Sequence, residues 1–241
     1  MKRVAALDDE APVVVGVDGC RTGWVVATGT AASVPELRSL EVVPHIAVVL
    51  ERVRVGEVTA VGIDMPFGLP ESGVRACDRA ARSRLGPRRS SVFPAPPRPL
   101  LGSVDYEEAL RRSRAIDGRG LSIQAFNLLP KIAELDAGLD PDLAERVVEA
   151  HPESSFAAMA GAPLPTTKRT AEGRAARREL LAGAVRSDPA LLDRRHRGAA
   201  PDDVLDAVAA LWSTARWCLG TALVLGDGEI DQRGLPMRVA V

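Results

Sequence analysis

The sequence is short of the residues that most often announce a chemistry. Cysteine occurs three times, at Cys20, Cys77 and Cys218, too few and too scattered for a disulfide framework or a Cys-x-x-Cys zinc site. Histidine also occurs three times, at His45, His151 and His196, so nitrogen and sulfur ligands offer zinc no cluster. Eight aromatic residues in 241 leave no evident platform for stacking bases. No apolar run approaches the ~18 residues that cross a bilayer, and Met1 to Glu10 hold no hydrophobic leader segment; this reading assigns the chain to the cytoplasm, with no membrane partner. Missing too are a Gly-x-x-x-x-Gly-Lys-Ser/Thr loop, a Gly-x-Gly-x-x-Gly turn and a Gly-x-Ser-x-Gly elbow.

What is present suits one folded domain over residues 11–241, with residues 1–10 as an N-terminal tail: 46% of the chain is hydrophobic and 26% charged. The net charge of −1 hides basic patches. Seven arginines and one acid lie between Arg75 and Arg98, and six basic residues face two acids between Lys168 and Arg186. Lysine is confined to Lys2, Lys131 and Lys168.

The β-branched run Val13 to Val17 ends at Asp18-Gly19, and Gly23 to Gly29 follows closely enough to form an antiparallel hairpin. A third run, Leu40 to Val43, stops at Pro44. Ile46, Val49, Leu50 and Val53 recur at helical spacing, which predicts a crossover helix into a fourth strand, Val58 to Ile63, parallel to an earlier one. Residues 70–101, rich in Arg, Ser and Pro, read as a long excursion. Helices are expected over 105–114, 122–136, 170–183, 188–195 and from Pro201 to about Leu225, with a short strand over 146–150.

Two strands end alike, in Val15-Gly16-Val17-Asp18 and Val61-Gly62-Ile63-Asp64. If they are parallel neighbours, both acids emerge at the edge where open α/β sheets bind ligands; taken singly, each Asp is also a common turn opener. Asp203 and Asp206, three residues apart, share a face of the last helix. That helix is apolar all round, so an acid on it is costly unless paired or bound to metal. Four carboxylates with no Lys or Arg beside them in sequence suit a hard divalent cation, Mg²⁺ or Mn²⁺.

The same order of elements resembles the RNase-H-like superfamily, and Asp203-Val-Leu-Asp206-Ala-Val-Ala-Ala looks like the last-helix motif of RuvC-type resolvases. More closely, most of the chain resembles a bacterial and archaeal domain-of-unknown-function family predicted to be RNase-H-like nucleases. That resemblance is carried by Gly16-Val-Asp-Gly-Cys-Arg-Thr-Gly-Trp24, Gly62-Ile-Asp-Met-Pro-Phe-Gly-Leu69, Arg75-Ala-Cys-Asp-Arg79, Ser90-Ser-Val-Phe93, Pro130-Lys-Ile132, Glu149-Ala-His-Pro-Glu153 and Asp202-Asp-Val-Leu-Asp-Ala207. It covers roughly residues 13 to 238 and implies an α/β fold: a mixed five-stranded sheet, three strands antiparallel and then parallel ones, flanked by helices. A helical Arg/Pro-rich insertion, about 70–145, would follow strand four. In such a fold Glu149 would face the same edge as a fifth acid.

The expected function is a divalent-metal-dependent nuclease. Asp18, Asp64, Asp203 and Asp206 would hold two Mg²⁺ ions about 4 Å apart, one activating water and the other stabilising the leaving 3′ oxygen, with Asp18 bridging. Arg82, Arg84, Arg88, Arg89, Lys131 and Lys168 are the candidates for holding a nucleic-acid backbone, with surface solvation as the alternative for the two lysines and ordinary ion pairing on an exposed helix for some of the arginines. Two other readings keep the fold: an actin-like or sugar-kinase-like nucleotide- or phosphate-binding protein, and a non-catalytic nucleic-acid-binding module. The oligomeric state is open, a homodimer included.

Overall fold

The computed structural model describes residues 11–226 and 228–241, so the expected N-terminal tail lies outside the described residues. Val13–Cys20 (β1) and Gly23–Thr30 (β2) pair antiparallel across Arg21 and Thr22, and Glu36–Val43 (β3) pairs antiparallel with β2. Pro44 ends β3, having no N–H for a ladder. Ile46–Arg54 (α1) buries Ile46, Val49, Leu50 and Val53 on one stripe and returns the chain to Ala60–Asp64 (β4), parallel to β1.

The excursion after β4 is helical, as expected: Ala76–Leu85 (α2), Tyr106–Asp117 (α3), Ile123–Gly138 (α4) and Pro141–Ala144 (α5) precede Val147–Ala150 (β5). Pro152–Ala160 (α6), Ala171–Ala184 (α7), Pro189–Asp193 (α8) and Pro201–Cys218 (α9) follow, and two short strands, Val224–Leu225 (β6) and Val239–Ala240 (β7), end the described chain.

The sheet runs β3-β2-β1-β4-β5-β7-β6. Its first five strands have the expected mixed order, but the sheet has seven strands, not five: β7 adds parallel to β5, and β6 pairs antiparallel with β7. The last helix is shorter than expected for the same reason. It stops at Cys218, Gly220 takes a left-handed φ of 69°, and the residues expected to finish the helix form β6 instead. No helix among the described residues is long and apolar enough to cross a membrane.

Side-chain alternation divides the core. Val15, Val17, Val61, Ile63 and Val147 point to the α1 and α4 side, while Val14 and Ala60 pack on the side of α6, α7 and α9. Gly16, Asp18, Gly62 and Asp64 are in phase with Val14 and Ala60, so both aspartates face the α9 side of the sheet.

Candidate metal centre

The pairing of β1 with β4 sets Gly16 beside Gly62 and Asp18 beside Asp64. The glycines decide how near the last helix can come. A Cβ on Gly16 would lie 2.0 Å from the Leu211 nitrogen and 2.1 Å from the Ala207 carbonyl oxygen; one on Gly62 would lie 2.1 Å from Thr214 Oγ1. The α9 backbone therefore rests directly on Gly16, and the Thr214 side chain of the same helix fills the space over Gly62. Asp206, one residue before Ala207, is brought level with the strand ends, and one carboxylate oxygen from each of Asp18, Asp64 and Asp206 lies within 4.8 Å of the others.

Burial and mutual repulsion govern these acids. Burial, reinforced by Asp64, Asp206 and Asp203, pushes Asp18 well above the usual carboxylate range. Burial raises Asp64 to about 7 against the attraction of Lys168, with Glu149 and Glu153 adding to the rise. It raises Asp206 to about 7 as well, again opposed by Lys168 and reinforced by Asp64. Asp18 and Asp64 accept no hydrogen bond from a described residue. Asp206 is 1% exposed, and its Oδ1 is buried with no hydrogen-bond partner among the described residues. The donor set is all oxygen, the kind that hard cations prefer.

A family model described as "Protein of unknown function (DUF429)" matches residues 16–230. The chain belongs to the DUF429 family. Two structures of Thermus thermophilus RuvC, one in complex with a Holliday junction substrate, are similar to this DUF429 chain at 17% identity, over 87% of it and 97% of theirs, with TM-scores of 0.37 and 0.36. None of the curated proteins matches it.

The remaining candidates take separate places in this DUF429 fold. Asp203 stays outside the cluster: its Oδ2 accepts the Ala200 N–H at 2.8 Å, closing the start of α9, and burial raises it against that bond. Glu149 pairs in register with Ile63, one residue before Asp64, and a one-residue offset puts its side chain on the opposite face. There Arg75, fully buried, donates to both Glu149 oxygens at 2.8 and 3.1 Å, to Asp78 and to the Phe67 carbonyl. Burial raises Glu149 while Arg75 holds it down.

Of the basic candidates, Lys168 enters the cluster, its Nζ 2.5 Å from Asp206 Oδ2. Lys131 donates to the Gly23 carbonyl at 2.6 Å and lies over the Trp24 ring. Arg82 donates to the Val92 carbonyl and Arg88 stands 3.9 Å from Glu153. Arg84 and Arg89 are exposed, or nearly so, with no side-chain partner among the described residues.

Two features are absent from the sequence reading. Glu153, just past β5, is held by Arg177 at 2.5 and 3.1 Å. Exposed Arg194, Arg195 and Arg197 form a loop ahead of α9, and their side chains, like that of exposed Arg21, have no partner among the described residues. This loop abuts the β1–β2 turn, since a Cβ on Gly198 would lie 1.9 Å from Thr22 Oγ1. Its signal is present in the sequence: Arg194-Arg195-His196-Arg197 is dense enough to read as a patch, but a helical reading of residues 188–195 passes over its charge.

Proposed function

We propose that this DUF429 protein is a divalent-metal-dependent nuclease that hydrolyses phosphodiester bonds of nucleic acid. The observation that carries the reading is the convergence of Asp18, Asp64 and Asp206, three carboxylates from two parallel strand ends and one buried helix, with Asp206 Oδ1 unpartnered. Like charges packed this closely raise the energy of the folded protein, and a bound cation is the physical reason to keep them together.

Asp18, Asp64 and Asp206 would hold the ion. When bound, it supplies a deprotonated water and a Lewis acid for the phosphorus centre. Asp203 keeps the first turn of α9 closed, which fixes the rotation of the helix and so the direction of Asp206. The glycine pair fixes the depth. Substrate affinity would come from phosphate contacts: Arg21, Arg194, Arg195 and Arg197 are arginines without a side-chain partner among the described residues, on loops flanking β1 and α9, the elements that carry two of the three acids, and Arg84, Arg88 and Arg89 stand on the excursion, Arg88 3.9 Å from Glu153.

The test is cleavage of labelled single- and double-stranded DNA and RNA by purified protein with Mg²⁺ or Mn²⁺. Cleavage that needs the ion and is lost in Asp18→Asn is expected. Cleavage that persists in Asp18→Asn would contradict the assignment, and nucleotide binding without cleavage would favour the kinase-like alternative.

A further inference from the structure

The acids at the carboxyl edge of the sheet divide by whether they already have a counter-charge. Glu149 has Arg75, Glu153 has Arg177, and Asp203 has the N-terminus of α9. Among the described residues the triad has one cation in contact, Lys168, on Oδ2 of Asp206, while Oδ1 has no hydrogen-bond partner. Asp206 is thus divided between an ammonium on Oδ2 and an unfilled position on Oδ1.

Lys168 is held there by its surroundings. It sits in the irregular segment between α6 and α7, with its side chain 41% exposed. Arg177, itself buried, donates to the Thr166 carbonyl at 3.3 Å and to the Gly173 carbonyl at 2.8 Å; Arg174 donates to the Lys168 and Arg169 carbonyls at 3.5 and 3.0 Å; Thr170 caps α7 through the Gly173 N–H. These bonds fix the backbone on both sides of Lys168. The amine lies 2.5 Å from Asp206 Oδ2, and a lysine side chain is ordinarily a cation at neutral pH.

Charge counting then limits what else can enter. Three carboxylates and one ammonium leave a net charge of two minus, which one divalent cation cancels and two would overturn. On the reading of the triad as a metal centre, we infer that Lys168 Nζ stands in the place of a second cation, so that the cluster takes one divalent ion. A lysine ammonium has three N–H donors; one is spent on Asp206, and the exposure of the side chain leaves the others open to a non-bridging phosphate oxygen of the substrate. The two-ion arrangement expected from sequence is replaced by one ion and a built-in ammonium.

The experiment is a Mn²⁺ titration of the metal-free full chain, counting bound ions by calorimetry and by the electron paramagnetic resonance signal. One Mn²⁺ per chain, with an uncoupled signal, is expected for the wild type and for Lys168→Arg. Lys168→Met, or Lys168→Gln if the first variant is poorly soluble, is expected to bind two, with the exchange-broadened signal of neighbouring ions. Two ions on the wild type, or one ion on the Met and Gln variants, overturns the inference and leaves the metal centre standing. No ion on the wild type, or an Asp18→Asn variant that binds as the wild type does, overturns the metal centre and the inference together.

Discussion

Asp64 and Glu149 end neighbouring parallel strands, one register row apart, and they have opposite fates. Asp64 faces α9, joins two other carboxylates and has no hydrogen-bond donor among the described residues. Glu149 faces the other side, where Arg75 meets both of its oxygens and also binds Asp78. The second arrangement has a dedicated counter-charge: one buried guanidinium shared by two carboxylates, Glu149 and Asp78, which fixes α2 against the sheet. The first is complete only with something added. What separates these two acids of one sheet edge is a dedicated arginine, which Glu149 has and Asp64 lacks among the described residues.

The largest expected effect would break this comparison if it failed. Asp18→Asn and Asp64→Asn should each lower cleavage by roughly 10³-fold or more by removing a ligand from the centre, with melting temperature unchanged or raised. Glu149→Gln should do the reverse. It removes one of the two carboxylates on buried Arg75, which keeps Asp78, at a cost of about 1.5–3 kcal/mol, so the variant melts early while the protein that remains folded still cleaves. A Glu149→Gln protein that is fully stable and inactive would move Glu149 into the centre.

Next in size is the glycine pair. Gly16→Ala sets a methyl group against the Ala207 carbonyl and the Leu211 nitrogen, backbone that cannot move aside, and overpacking of this kind costs about 1–3 kcal/mol or more. Because the helix is pushed outward, the variant should also lose Mn²⁺ affinity, although no ligand has changed. Calorimetric melts paired with a Mn²⁺ titration check both halves.

A smaller effect is read through pH. Asp206 sits at about 7 in the folded metal-free protein against an ordinary value of 3.8. Between those values the folded state holds a proton that the unfolded chain has released, so the group's contribution to stability declines as pH rises through that window and is constant above it. Asp206→Asn removes the decline. The stability of the variant relative to the wild type should therefore rise from about pH 5 to about pH 7 and then level off, as measured by denaturant melts in chelator.

The smallest effect concerns the substrate. Replacing Arg194, Arg195 and Arg197 together should weaken nucleic-acid binding and flatten its salt dependence by roughly 0.7–0.9 log units for every phosphate no longer neutralised, with Mn²⁺ affinity unchanged. The same replacement of Arg82, which is committed to the Val92 carbonyl, should change the slope little.

The parts of the molecule that are legible in sequence share one property, a periodic or repeated local signal. The short apolar, β-branched runs of β1, β2 and β4, the stripe of α1 and the twin Gly-x-Asp strand ends are all local, and with the acid pair of the last helix they locate Asp18, Asp64 and Asp206. The rest depends on partners distant in the chain. The two-residue strands β6 and β7 carry no periodicity. The face taken by Glu149 follows from its register with β4, which no residue near position 149 encodes. Lys168 meets Asp206 across 38 residues of sequence, so from sequence the triad reads as lacking a cation that the chain already holds. The helix α2 does have a signal, Cys77, Ala81 and Leu85 buried four residues apart, obscured by the arginines between them.

On the proposed reading Asp18, Asp64 and Asp206 bind a metal ion, and the arginine-paired acids beside them do not. The most direct measurement is anomalous diffraction from a crystal soaked in Mn²⁺. The account predicts a peak bonded to oxygens of all three aspartates, with the Glu149–Arg75 pair intact. A peak on Glu149 with its arginine displaced, or no peak at the triad in a well-diffracting soaked crystal, would contradict it.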